Sequence, residues 1–161
     1  MRTPFFFIDD DSDEECQKKV AHVFVIGSKK VGKSTFIHRV TRNEFSLSYV
    51  PTKNLEVYEP VKIGLRYLKM YDIPEDLIES TVAQPDAVIL MCNYAESLSK
   101  LKRLYEKLNK LSETWVVIQN MGTALPEISS INICHPERVF TVNNCSTDGI
   151  GDLVYDILQT I

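Results

Sequence analysis

The segment Gly27-Ser28-Lys29-Lys30-Val31-Gly32-Lys33-Ser34-Thr35 places Gly27, Gly32, Lys33 and the Ser34 hydroxyl at the spacing G-x-x-x-x-G-K-[ST]. Each residue type has a physical task in that pattern. The glycines let the backbone turn tightly enough for successive amides to face one centre. Lys33 brings a positive charge to the outer phosphates of a ligand, and the Ser34 hydroxyl is a hard oxygen suited to Mg²⁺. The spacing predicts a loop that cradles a nucleotide polyphosphate together with Mg²⁺, with Gly27, Lys30, Val31, Gly32, Lys33, Ser34 and Thr35 around the phosphates.

Such a loop works only between a strand and a helix, whose N-terminus adds positive potential. Both flanks are legible. Val20-Ala21-His22-Val23-Phe24-Val25-Ile26 is the β-rich run of a buried strand, and a helix is expected over about 34–42. Beyond a polar and aromatic loop to Asn54, Leu55 to Tyr58 alternates like a strand. Lys62-Ile63-Gly64 reads as a turn, and Leu65 to Tyr71 alternates again, which together predict an antiparallel hairpin. A loop is expected over 72–85, with a short helix from Glu75. Ala87-Val88-Ile89-Leu90-Met91-Cys92 is a continuous apolar run, typical of a parallel strand covered on both faces. Leu98, Leu101, Leu104, Leu108 and Leu111 predict the buried stripe of a helix over about 96–111. Trp115 to Ile118 and Val139 to Val142 are further strands, and the chain closes on a helix over about 150–160. The segment 120–137, which contains Pro126 and Pro136, offers no clear element. Strands alternating with helices predict an α/β fold: a three-layer P-loop domain on a mostly parallel six-stranded sheet with one antiparallel hairpin.

At 161 residues, 44% hydrophobic and 25% charged, the chain has the size and balance of one globular domain. The net charge of −4 is concentrated: without the six carboxylates of Asp9, Asp10, Asp11, Asp13, Glu14 and Glu15 it becomes +2. A near-neutral body predicts no nucleic-acid partner. The division expected is an acidic, flexible tail over 1–19 and a P-loop domain over 20–161. Phe5-Phe6-Phe7-Ile8 beside the acidic run could add to a partner's sheet edge, and Ser12 is a candidate phosphorylation site. Four cysteines without C-x-x-C spacing predict reduced thiols rather than zinc ligands. With no apolar run of membrane-spanning length, no signal peptide and no lipidation motif, an intracellular, cytoplasmic protein without its own membrane anchor is expected, one that a partner could still recruit to a membrane or complex.

From Val20 to Ile161 the order of elements and the phosphate loop resemble the small GTPases of the Ras superfamily. The resemblance implies a GTP- or GDP-binding module with Mg²⁺. Tyr49-Val50-Pro51-Thr52 looks like the family's first switch, and Asp72 stands at the aspartate that ends the third strand. The implied metal residues are therefore Ser34, Thr52 and Asp72.

The hydrolytic part departs from the family pattern. Asp-x-x-Gly and its following glutamine become Asp72-Ile73-Pro74-Glu75-Asp76, so Asp76 stands at the water-positioning site and Glu75 replaces a glycine. Two carboxylates beside a triphosphate repel it by about 1 kcal/mol or more at roughly 4 Å, depending on screening. Lys29 also fills a position that is glycine in many members. Slow or absent hydrolysis follows, because orienting water and stabilising charge are nearly all such a site does. On the base side, Asn-Lys-x-Asp becomes Asn120-Met121-Gly122-Thr123, and the lost carboxylate implies a loss of about 10²- to 10⁴-fold in guanine affinity. Asn144-Cys145-Ser146 stands for Ser-Ala-Lys, and the amide of Cys145 is left to meet a base carbonyl. The implied function is an atypical, pseudoGTPase-like module acting through protein effectors, with a partner face around Tyr49, Thr52 and Asp72. An active switch aided by an accessory protein is the alternative. A small P-loop kinase fits less well, because no Arg-rich lid segment is present.

Overall fold

A computed structural model describes residues 20–43, 54–74, 76–77, 84–93, 98–119 and 134–161. Its centre is a mixed sheet of strands β1 (Val20–Gly27), β2 (Glu56–Val57), β3 (Val61–Ile63), β4 (Arg66–Pro74), β5 (Ala87–Cys92), β6 (Glu113–Gln119) and β7 (Val139–Val142). The order across the sheet is β2-β4-β1-β5-β6-β7, with β3 also paired to β4. β1 is parallel to β4 and β5, and β5–β6 and β6–β7 are parallel pairs. β2 and β3 run antiparallel to β4, opposite its residues 71–72 and 66–68. The fold is therefore α/β with a mostly parallel sheet, as expected. The strand count differs: there are seven segments rather than six, because Tyr58 to Pro60 interrupt the edge.

Side-chain alternation divides the core into two layers. Val23 and Val25 of β1, Ile89 and Met91 of β5, and Trp115 and Val117 of β6 pack on one face. That face is covered by helices α1 (Lys33–Arg42) and α3 (Ile150–Thr160) through Phe36, Ile37, Leu153, Val154 and Ile157. The intervening residues Phe24, Ile26, Val88, Leu90, Val116 and Ile118 point to the other face. There, helix α2 (Leu98–Asn109) contributes Leu101 and Leu108. Three layers follow from period-2 strands placed between amphipathic helices.

Three local expectations are corrected. Lys62 and Ile63 belong to β3, and the turn is the two residues Gly64 and Leu65, since Ile63 pairs with Arg66. Leu111 lies beyond the end of α2 and is 54% exposed, so the leucine stripe closes at Leu108. β4 continues through Ile73 and Pro74, in register with Ile26 and Gly27 of β1. Pro74 lies past the β2 pairing, which ends at Asp72, so β4 behaves there as an edge, where proline is tolerated. The acidic tail over 1–19, with Phe5 to Ile8 and Ser12, lies outside the described residues.

Candidate functional site

The carboxyl ends of parallel β1, β5, β6 and β7 open onto one edge of the sheet, where open α/β folds bind their ligands. β1 ends at Gly27 and α1 begins at Lys33 after the turn between them. Two glycines in this loop are required for different reasons. A Cβ on Gly27 would stand 2.4 Å from the Met91 carbonyl oxygen, so β1 and β5 approach too closely for any side chain. Gly32 has φ +94° and caps α1 in a left-handed conformation. Lys30 is also left-handed, at φ 63°, an unfavourable state for a residue with a side chain. α1 starts with no side-chain N-cap and no acidic residue in its first turn, so nothing in that turn neutralises the positive end of the helix dipole.

Within this frame the predicted phosphate residues come together. Lys33 is buried and its ammonium donates to the carbonyls of Gly27 (2.9 Å) and Ser28 (3.0 Å), which curls it into the hollow of the loop. Val31 is buried beneath the loop, whereas Lys29 and Lys30 are exposed at its tip. Leu68 and Met70 of β4 face the α1 layer. Asp72 continues that alternation and is fully buried, between Val25 of β1 and Glu56 of β2. Its carboxylate accepts a short hydrogen bond from the Ser34 hydroxyl, in the first turn of α1. Asp72 does not end its strand, as expected from the sequence, but lies two residues inside it. Asp76 is exposed, two residues past Pro74, whose partner in β1 is Gly27. Among the described residues no group of three or more His, Cys, Asp or Glu converges as a metal site. Tyr49, Thr52, Glu75, Asn120, Met121 and Thr123 lie outside the described residues.

The turn after β7 is built differently from the sequence expectation. The Asn143 side-chain oxygen accepts from the amides of both Cys145 (2.9 Å) and Ser146 (3.2 Å). The Cys145 amide, expected to meet a base carbonyl, is thus engaged within the turn itself. Arg39 of α1 donates to the carbonyls of Asn144 (2.6 Å) and Cys145 (2.8 Å). Asn144 donates its side-chain amide to the Gly32 carbonyl at 3.2 Å. The turn is thereby fastened to the N-cap of α1, at Gly32, and again almost two turns later, at Arg39.

One residue at this edge, Gln119, was not singled out from the sequence, and Asn144 was named only as part of Asn144-Cys145-Ser146. Gln119, the last residue of β6, brings its side chain within 3.9 Å of where a Cβ on Gly32 would sit. Gln119 is 5% exposed and Asn144 is 2% exposed, and the side-chain oxygen of each is buried without a hydrogen-bond partner among the described residues. An amide ending an otherwise apolar strand is the signal that could have drawn attention to Gln119.

Beyond the edge, the other polar clusters have structural roles. Trp115 donates its indole N–H to Asp156 at 2.7 Å, and the Arg138 guanidinium lies 4.4 Å over its ring while bonding Glu113 at 2.8 Å. Tyr58, beside Asp72, bonds Glu56 at 3.1 Å, and burial foremost pushes its hydroxyl well above the usual phenol range. No helix among the described residues is long and apolar enough to cross a membrane. Comparison with protein-family models and with curated proteins finds no match.

Proposed function

We propose that the chain is an atypical small-GTPase-like module that binds a nucleotide polyphosphate with Mg²⁺ at the β1–α1 loop and hydrolyses it slowly or not at all. The observation that carries this reading is the convergence of Lys33, curled into the Gly27–Gly32 loop, with a Ser34 hydroxyl bonded to buried Asp72. A phosphate in the hollow would meet loop amides, an ammonium and the start of a helix, three features that each favour an anion. Ser34 and Asp72 present hard oxygens in contact, a donor set that suits Mg²⁺, which keeps several waters and takes its other ligands from phosphate. Bound there, Mg²⁺ would neutralise charge on the phosphate oxygens.

The protein residues divide the work. Lys33 would trade its two loop carbonyls for phosphate oxygens, and the loop and α1 would orient the polyphosphate. Asp76 is exposed near this end of β4 and, as a carboxylate, repels the γ-phosphate rather than polarising a water towards it. The module's output is then binding to a protein effector, not turnover.

Titration calorimetry of GTP, GDP, ATP and ADP with and without Mg²⁺ tests the reading. Binding that Mg²⁺ strengthens and that Lys33→Ala removes is the expected result. Silence for all four nucleotides at millimolar concentration, or binding indifferent to Lys33→Ala, refutes it. Single-turnover hydrolysis should not exceed about 10⁻⁴ per second, the scale of an unassisted small GTPase. A rate near one per second would make the chain a working enzyme instead.

A further inference from the structure

We propose that Asn143 determines what this site recognises: its side-chain carbonyl occupies the amides of Cys145 and Ser146, so the turn after β7 does not read the base and the ligand is held by its polyphosphate. The inference rests on the nucleotide reading above and specifies the ligand class. A nucleotide with its phosphates in the Gly27–Gly32 loop would extend along the carboxyl edge of the sheet. Towards β6 and β7 the next groups are Gln119 and Asn144, both touching the position of Gly32. The post-β7 turn is therefore the described backbone nearest to a bound nucleoside on that side.

Its polar groups are already committed. The amides of Cys145 and Ser146 go to Asn143, and the carbonyls of Asn144 and Cys145 go to Arg39. The Asn144 side-chain N–H donates to Gly32. Cys145 and Ser146 are exposed residues, and the amides of both donate to the Asn143 side chain. Two further polar atoms at this edge, the side-chain oxygens of Asn144 and Gln119, are buried, with no hydrogen-bond partner among the described residues. A base carbonyl such as the 6-oxo group of guanine or hypoxanthine needs a donor, and Asn143 competes for both donors the turn offers. Adenine presents an amino group at that edge, which an amide N–H cannot pair with at all. With the donors occupied, the two kinds of base are equivalent, and inorganic tripolyphosphate carries nearly all of the recognised chemistry.

Competition binding with Mg²⁺ complexes of GTP, ITP, ATP and inorganic tripolyphosphate tests this. The unmodified protein should hold all four with affinities within about tenfold of one another, because the turn after β7 keeps no amide donor for a base carbonyl. Asn143→Ala should free the amides and raise GTP and ITP over ATP by about fivefold, the worth of one amide–carbonyl bond. Asn143→Asp, which keeps the acceptor, should leave the ratios unchanged. Should Asn143→Ala fail to fold, the amide resonances of Cys145 and Ser146 in the unmodified protein decide. They should respond identically to GTP and to tripolyphosphate, and a GTP-specific shift at either overturns the proposal. Tripolyphosphate binding accompanied by a GTP preference over ATP of a hundredfold or more also overturns it, while sparing the phosphate site. Failure of every ligand, tripolyphosphate included, overturns the nucleotide reading and this inference with it.

Discussion

A residue's chemistry at this site depends on which of its atoms are already engaged. Cys145 and Cys134 make the contrast. Cys145 is exposed in the turn after β7, whereas Cys134 is half-buried and burial pushes its thiol up to about 11, Arg138 opposing and Glu137 adding to the shift. A raised thiol stays protonated in the folded chain where the unfolded chain has ionised. Its contribution to stability is therefore complete below pH 9 and is lost as pH rises through about 11. Tyr58, Tyr71 and Tyr105 are raised chiefly by burial and act with the same sign. Only the thiolate attacks a thiol reagent. Pulse labelling at pH 8 with peptide mass spectrometry should accordingly modify Cys145 well before Cys134, and buried Cys92 last of the three. Labelling of Cys134 first would show that the segment before β7 opens more readily than its burial implies.

Elements were legible where their pattern is long. β5 is six consecutive apolar residues and all six are buried, and the closing helix expected over about 150–160 is α3, which buries Ile150, Leu153, Val154 and Ile157. Short or terminal features were not. β3 has three residues, too few for alternation to be recognised, and Leu111 continues a periodicity after the helix that generates it has stopped. Pro74 reads as a breaker in one dimension yet closes a strand in three. Asn143 carried a usable signal, since asparagine two residues before a solvent-facing amide is the signature of a side-chain-closed turn. The contacts of Arg39 with the Asn144 carbonyl and of Asn144 with Gly32 carried none, because the partners lie 105 and 112 residues apart in the chain. The turn between β7 and α3 also fixes one residue on two grounds. Gly149 has φ +78°, and a Cβ on it would stand 2.1 Å from the Thr141 carbonyl oxygen. Gly149→Ala should cost about 2 kcal/mol or more, from a strained dihedral and a backbone clash together. Chemical denaturation reads this directly, and a loss below about 0.5 kcal/mol would mean that the turn relaxes freely.

Across the whole molecule, the carboxyl edge gathers groups from β4, β6 and β7 around one loop, and α1 joins them. Lys33 at the start of α1 serves the loop, while Arg39 farther along holds the turn after β7. These two residues should separate stability from ligand binding. Arg39→Ala removes the two hydrogen bonds that hold the turn, along with longer ones to Asn43, and should destabilise by about 1–3 kcal/mol, or about 2–4 °C in midpoint per kcal/mol for a chain of this size. A ligand that binds only the folded state adds RT ln(1 + [L]/Kd), about 2.7 kcal/mol at a hundredfold excess over Kd. That increment depends on affinity alone. If the turn after β7 reads no base, Arg39→Ala lowers the unliganded midpoint yet keeps the increment from Mg²⁺ with GTP and from Mg²⁺ with ATP. Lys33→Ala should do the reverse, changing the unliganded midpoint less than Arg39→Ala does while abolishing the increment. Trp115, the single tryptophan and fully buried in the α1–α3 layer, reports unfolding in both variants. Loss of the GTP increment alone in Arg39→Ala would place the turn in contact with the base and defeat the separation, whereas loss of neither increment in Lys33→Ala would remove the phosphate from the loop.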